Sequence, residues 1–248
     1  MTLDPLTALQ TAARPAPRIS TTPQRLLIAG AGGALGRAAV EEALARGRYA
    51  SVGVLTRAPL QPGVRGLEPV AWTTDGPLPA TDAAIVVFDR GRDHYGRDEA
   101  YHLPEPPDLL PLARRLHAAG VHTLAVLCPV SPSLLPQALQ QGLADLDEQA
   151  VAALGFERLL FVRPTQDAPL ATLSRWPERL ARWMLSQLRY MIPQREQPVR
   201  AAAVIDFVFE VLRQWPDAAP GTRVAGAPVL WRAAQGEGAE GVVREWLG

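Results

Sequence analysis

The sequence predicts an α/β fold, a doubly wound parallel sheet with a small C-terminal cap. Three observations carry the prediction. Short apolar runs recur along the chain, divided by Gly- and Pro-rich punctuation or by segments of helical periodicity. The first run breaks at a cluster of glycines that opens a helix-forming segment. Strand-like and helix-like segments then alternate, the pattern that gives parallel strands joined by crossover helices.

The first unit spans Arg25 to Arg57, RLLIAGAGGALGRAAVEEALARGRYASVGVLTR. Leu26 to Ala29 reads as a buried strand, Leu35 to Ala45 as a helix stopped at Gly47, and Ser51 to Thr56 as the second strand. Between strand and helix lie Gly30, Gly33 and Gly36 at three-residue spacing, with Gly32 added. A pyrophosphate can rest on a helix N-terminus only if the exposed amides face it with no side chain between. On this reading the first glycine allows the tight turn, the middle one admits the ligand, and the last lets helix pack on strand. Gly30, Gly32, Gly33, Ala34, Leu35, Gly36 and Arg37 are therefore candidate cofactor-binding residues in a Rossmann-type dinucleotide unit. Glycine turns between strand and helix also serve packing alone, and that alternative stays open.

The end of the second strand decides which dinucleotide is expected. A carboxylate there would bond the ribose hydroxyls of NAD, whereas an arginine accommodates the 2′-phosphate of NADP. The chain has Leu55, Thr56 and Arg57 with no carboxylate nearby, and Arg37 adds a second positive charge. The expectation is NADP(H) in preference to NAD(H), with Thr56 and Arg57 as contacts; ordinary solvated arginines are the alternative. Leu67 to Trp72 reads as a third strand, after a loop from Ala58 to Gly66. Asp75 beyond it is a candidate partner for the adenine amino group, although Asp-Gly is also a common turn signal. Asp82 to Asp89 (DAAIVVFD) reads as the fourth strand. Ligands of open α/β sheets bind beyond the carboxyl ends of the strands, which places Phe88 and Asp89 beside the nicotinamide half.

The next segment, RGRDHYGRDEAYH, gathers His94, Tyr95, Tyr101 and His102 where a substrate could enter, or forms a solvated loop. Leu109 to Ala119 reads as a helix, Val121 to Leu127 as the fifth strand, Leu134 to Leu154 as a long helix, and Phe156 to Val162 as the sixth strand, closed by Arg163-Pro164. Pro177 to Arg189, flanked by Trp176 and carrying Trp183, and Val199 to Gln214 read as amphipathic helices, with a late strand or hairpin at Thr222 to Trp231. The Val199 to Gln214 stripe includes Val204, Phe207, Val208 and Leu212, and its aromatics are read as core. Residues 1–24 read as a flexible arm and 25–248 as a single domain whose cap covers roughly 165–248.

Composition narrows the function. With 248 residues, 48% of them hydrophobic, the chain has material for one large α/β core. Zero formal net charge gives no general attraction to nucleic acid or to an acidic membrane surface. No apolar run is long enough to span a bilayer and the N-terminus lacks a secretory layout, so a cytoplasmic location is expected. The one cysteine, Cys128, rules out an intrachain disulfide and a cysteine-based zinc site, and no spaced His/Cys/Asp set suggests a metal. No G-x-S-x-G elbow of a hydrolase occurs. The chain contains no lysine: all 25 basic residues other than histidine are arginine.

The succession GAGGALGR, LTR, FERLLFVRP and PVRAAAVIDFV resembles the atypical short-chain dehydrogenase/reductases, over roughly residues 25 to 215. Within them it is similar to the NmrA-like and Tat-interacting-protein-like group, whose V-x-V-x-D-V-A helix start is represented by Val199, Val204 and Asp206. The resemblance implies a dinucleotide-binding fold and functions from reductases to redox-sensing regulators without chemistry. Catalytic members carry a serine after strand five and a Tyr-x-x-x-Lys pair on the next helix. Counting back from Arg163-Pro164, that pair falls near Gln140 and Ala144, and neither residue type is there. No shift of register restores it, because lysine is absent and no tyrosine lies between Tyr101 and Tyr190. Ser131 and Ser133 lie near the serine position. Other proton donors by position are His94, Tyr95, Tyr101, His102 and Cys128, the last more often an inert buried residue. The expectation is an NADP(H)-binding pseudoenzyme, a sensor or regulator. An NADPH-dependent reductase of a small carbonyl or quinone with a non-standard proton donor, and an interaction scaffold with a vestigial nucleotide site, are the alternatives. A small-molecule substrate, a protein partner and a homodimer through the tryptophan-bearing helices all stay open as partners.

Overall fold

The computed structural model describes residues 24–59, 63–73, 76–89, 100–129, 146–165, 199–235 and 238–248. Seven strands form one sheet: β1 (Gln24–Ala29), β2 (Tyr49–Thr56), β3 (Leu67–Ala71), β4 (Ala83–Val87), β5 (Thr123–Leu127), β6 (Arg158–Val162) and β7 (Gly221–Ala225). Their order is β3-β2-β1-β4-β5-β6-β7, and every adjacent pair runs parallel. The chain leaves β1 toward β2 and β3, then crosses back to place β4 on the other side of β1. The crevice between β1 and β4 is thus the point where the strand order reverses.

The strand sequences explain this arrangement. In β4 all five residues of AAIVV are buried, as are all five of RLLFV in β6. A strand apolar on both sides has helices over both faces, as parallel sheets require. One face carries α1 (Gly33–Arg46), α4 (Ala201–Gln214), α5 (Ala227–Ala233) and α6 (Gly238–Leu247), whose apolar residues share a core with Leu26, Ile28, Ile85 and Leu160. The other carries α2 (Leu109–Ala118) and α3 (Leu146–Ala152), packed on Leu27, Ala84, Leu124 and Phe161. Alternate residues along each strand enter opposite cores, which is the period of the pleat.

Several sequence expectations are refined. The first helix begins two residues earlier, at Gly33, because the glycine turn itself supplies the first helical turn, with Gly32 as N-cap. The segment expected as a late strand or hairpin is a single strand, β7, paired with β6, followed by α5. Pro228 in the first turn of α5, whose fixed φ suits a helix start, is the local reason. Residues 199–248, expected as part of a cap, supply this seventh strand and three helices on one face of the sheet. Of the expected helix at 134–154, the described part is α3. The expected arm at 1–24 lies outside the described residues apart from Gln24, and the Trp176/Trp183 helix lies wholly outside them. Phe207 and Phe209 of α4 are fully buried, Phe207 edge-on to Trp246 of α6. Arg46 at the end of α1 bonds Glu42 and reaches across to Asp206 and Glu210, joining α1 to α4.

Candidate functional site

The glycine turn lies at the carboxyl edge of the sheet, where β1 hands over to α1. Gly30 has φ +84° and Gly33 φ +74°, a region that L side chains rarely adopt. Each of the three motif glycines also meets something close. A Cβ on Gly30 would stand 2.1 Å from the carbonyl oxygen of Val87 and 3.3 Å from Cδ of Pro104. A Cβ on Gly36 would stand 2.0 Å from the carbonyl oxygen of Gly30, so this glycine lets the helix sit directly on the turn. A Cβ on Gly33 would stand 2.8 Å from Oδ2 of Asp89.

That last contact is the unexpected feature. Asp89 follows β4, and the sequence places it beside the nicotinamide half. Its Oδ2 accepts a hydrogen bond of 2.9 Å from the backbone N–H of Leu35, the third residue of α1. The first N–H groups of a helix have no partner within it and bear partial positive charge. A carboxylate 54 residues away in sequence therefore supplies what α1 lacks locally: its N-cap is a glycine with no side-chain bond, and its first turn has no acidic residue. Gly30, Gly32, Gly33, Leu35 and Gly36 are buried, and Ala34 and Arg37 exposed. Arg37 turns back along the helix to donate from Nε to the Gly33 carbonyl at 3.3 Å.

The segment 100–104 crosses the carboxyl ends of β2 and β1. Tyr101 forms an antiparallel bridge with Thr56. The N–H of Arg57 donates to Ala100, that of His102 to Leu55, and that of Gly30 to the carbonyl of His102 at 3.2 Å. The His102 ring stacks on Trp72 at 4.5 Å between centroids, and the Arg115 guanidinium stands 3.9 Å from the centroid of the same indole. His102 Nε2 is buried with no hydrogen-bond partner among the described residues. Burial pushes the His102 pKa below its usual value, and the positive charges of Arg57 and Arg115 push it the same way against the opposing pull of Asp108.

The structure thus brings together the glycine turn, Leu35 and Asp89 at the N-terminus of α1. Thr56, expected as a cofactor contact, is buried, and its hydroxyl donates to Ala58 (2.8 Å) and Val70 (3.3 Å) carbonyls within the chain. Arg57 beside it is exposed. Phe88 is half-buried, packed against the core that contains Ala29 and Val86. Asp75, His94, Tyr95, Ser131, Ser133, Gln140 and Ala144 lie outside the described residues. Of the expected proton donors, Tyr101 and His102 lie across the β1–β2 half of the edge, and Cys128 is half-buried just past β5. Sequence reasoning missed the bond from Asp89 to Leu35. Its one signal was a carboxylate at the exit of a strand adjacent to β1.

A pyrophosphate on α1 would need the same N–H groups. The helix N-terminus fits such a group, but Asp89 Oδ2 holds one of its donors and lies over Gly33. A pyrophosphate placed there would compete with that carboxylate for the Leu35 N–H. Among the described residues no cluster of three or more His, Cys, Asp or Glu could hold a metal ion, and no helix is long and apolar enough to cross a membrane.

The fold is an α/β Rossmann-like one. The chain matches no protein-family model and no curated protein. Among solved structures it is similar to a short chain dehydrogenase family protein from Francisella tularensis, with 12% identity over 82% of this chain and 97% of that one and a TM-score of 0.51. A short chain dehydrogenase from Leptospira borgpetersenii with bound NAD+ gives 12% identity, 84% and 92% coverage and a TM-score of 0.45. A short-chain dehydrogenase/reductase superfamily protein from Agrobacterium tumefaciens with bound NAD gives 18%, 82% and 77%, and 0.44. At these identities the likeness is one of fold.

Proposed function

We propose that this chain is an NADP(H)-binding Rossmann protein that performs no standard short-chain reductase chemistry and acts as a cofactor-responsive sensor or regulator. The observation that carries the reading is the glycine turn: it opens α1 between β1 and β4, at the reversal of strand order, where an open α/β sheet receives a dinucleotide. Arg57 is exposed at the end of β2 and available to a 2′-phosphate. The absence of lysine from the sequence removes the ribose anchor and pKa-lowering partner that standard catalysis employs. Calorimetric titration with NADPH and NADH tests this. Wild-type protein should bind NADPH more tightly than NADH, and Arg57→Ala should weaken NADPH binding about tenfold while leaving NADH unchanged, the effect of one charge-assisted phosphate contact. Equal loss for both cofactors would overturn the NADP(H) assignment.

A second reading, an interaction scaffold with a vestigial site, is favoured by one observation. All three motif glycines meet intramolecular neighbours, namely Val87 and Pro104, Asp89, and Gly30 itself. No NADPH or NADH binding at millimolar concentration would select it.

A further inference from the structure

We propose that Asp89 sets the anion affinity of this site by standing in for the pyrophosphate: its carboxylate is an intramolecular ligand of α1, and an incoming phosphate group binds only by displacing it. This rests on the reading of the glycine turn as a nucleotide site and adds how that site is controlled. Two contacts meet at one oxygen. Oδ2 accepts the Leu35 N–H at 2.9 Å, and the same oxygen occupies the space over Gly33 that a Cβ would otherwise fill, at 2.8 Å. The middle glycine of such a turn is bare so that an anion can approach the backbone. Here the anion that approaches belongs to the protein.

The competition is both steric and electrostatic. A phosphate oxygen and Oδ2 cannot share one N–H, and a second negative charge beside a retained carboxylate is repelled in the partly dehydrated edge of the sheet. A carboxylate at a helix N-terminus is held by an interaction of modest size, so a pyrophosphate with more charge and more acceptors can displace it. Asp89 is half-buried, so the carboxylate lies within reach of an anion arriving from solvent. The consequence is an apparent anion affinity lowered by the cost of releasing Asp89 from α1.

The test is calorimetric binding of NADPH, NADH and inorganic pyrophosphate to wild type, Asp89→Ser and Asp89→Asn, with circular dichroism confirming the fold of each. Asp89→Ser should bind pyrophosphate and dinucleotide about two- to fivefold more tightly than wild type, since one competing charge–helix interaction is removed. Asp89→Asn keeps an acceptor for Leu35, and with it the folded helix start, while losing the charge; its gain should be smaller. If both variants bind pyrophosphate no more tightly than wild type, the proposal fails, and the wild-type NADPH titration still decides the dinucleotide reading separately. If pyrophosphate tightens but no protein binds either dinucleotide, the carboxylate control stands and the dinucleotide reading falls.

Discussion

Two carboxylates packed against the same sheet are held in different ways. Asp89, past β4, is half-buried and accepts a backbone N–H of α1. Glu148, on α3, is 4% exposed and pairs with the guanidinium of Arg163, itself 2% exposed just past β6. The first bond is made to a donor that any anion could use. The second is a full ion pair out of reach of solvent, where loss of either partner leaves a charge with no water to receive it. An edge built this way has one half that can exchange its anion for a ligand and another fixed as structure.

The largest effect should come from breaking the fixed half. Arg163→Met leaves the Glu148 carboxylate buried without its guanidinium, which costs about 3–5 kcal/mol for a buried pair. Urea unfolding should show a large drop in midpoint, and the double variant Arg163→Met/Glu148→Leu should recover most of it, because two apolar groups need no partner. A single variant as stable as wild type would mean the pair is no more structural than the bond at Asp89.

The exchangeable half is sharpened by two alanine substitutions one helical turn apart. In Gly36→Ala the new Cβ meets backbone, the Gly30 carbonyl oxygen at 2.0 Å and Ala31 at 2.8 Å. Backbone cannot step aside, so a loss of about 3 kcal/mol is expected, at the upper end of overpacking costs. In Gly33→Ala the new Cβ meets the far end of the Asp89 side chain, which can turn away. What remains is the cost of a left-handed residue with a side chain, about 1–2 kcal/mol. Gly33→Ala should also uncouple Asp89: adding Asp89→Ser in that background should change stability less than it does in wild type, the signature of a contact already lost. Additive losses would show that Gly33 and Asp89 do not act through one another.

Much of this was legible in the sequence because the signals are local. The buried strands are short β-branched or aliphatic runs; β4, β5 and β6 fall within the predicted segments, and β1 starts two residues before its own. The glycine spacing located the turn, and the last glycine lets α1 sit on the backbone of Gly30 and Ala31 just past β1. What was not legible depends on contacts distant in sequence. Asp89 reaches Leu35 because β4 pairs with β1 in register, Ala29 opposite Val86, which brings the exit of one strand beside the glycine turn of the other. Local chemistry shows a carboxylate after a strand; only the strand order shows whose helix it caps. Thr56, a candidate cofactor contact by its place at the end of β2, is buried, with its hydroxyl on the Ala58 and Val70 carbonyls.

The smallest effect concerns how the first half is closed. The Gly30 N–H donates to the His102 carbonyl and the Arg57 N–H to Ala100, so segment 100–104 ties down both the glycine turn and the end of β2. The His102 ring that anchors this segment lies on Trp72, and burial, reinforced by Arg57 and Arg115, holds its pKa below the ordinary histidine value. The sign follows from linkage. In the unfolded chain histidine takes up its proton near pH 6.5, and in the folded chain only at lower pH. The contribution of the stacked, neutral ring is complete above that value and is lost as pH falls through the folded pKa. Amide exchange at Gly30 and Arg57, corrected for intrinsic rates, should therefore lose protection as pH falls below about 6.5, by less than about 1 kcal/mol for a half-buried group. His102→Gln should abolish this pH dependence while leaving the bond between Asp89 and Leu35 intact, because that bond reaches α1 from the opposite neighbour of β1. A protection loss that persists in His102→Gln would place the titrating group elsewhere, and the two ties on the glycine turn would then have to be regarded as one.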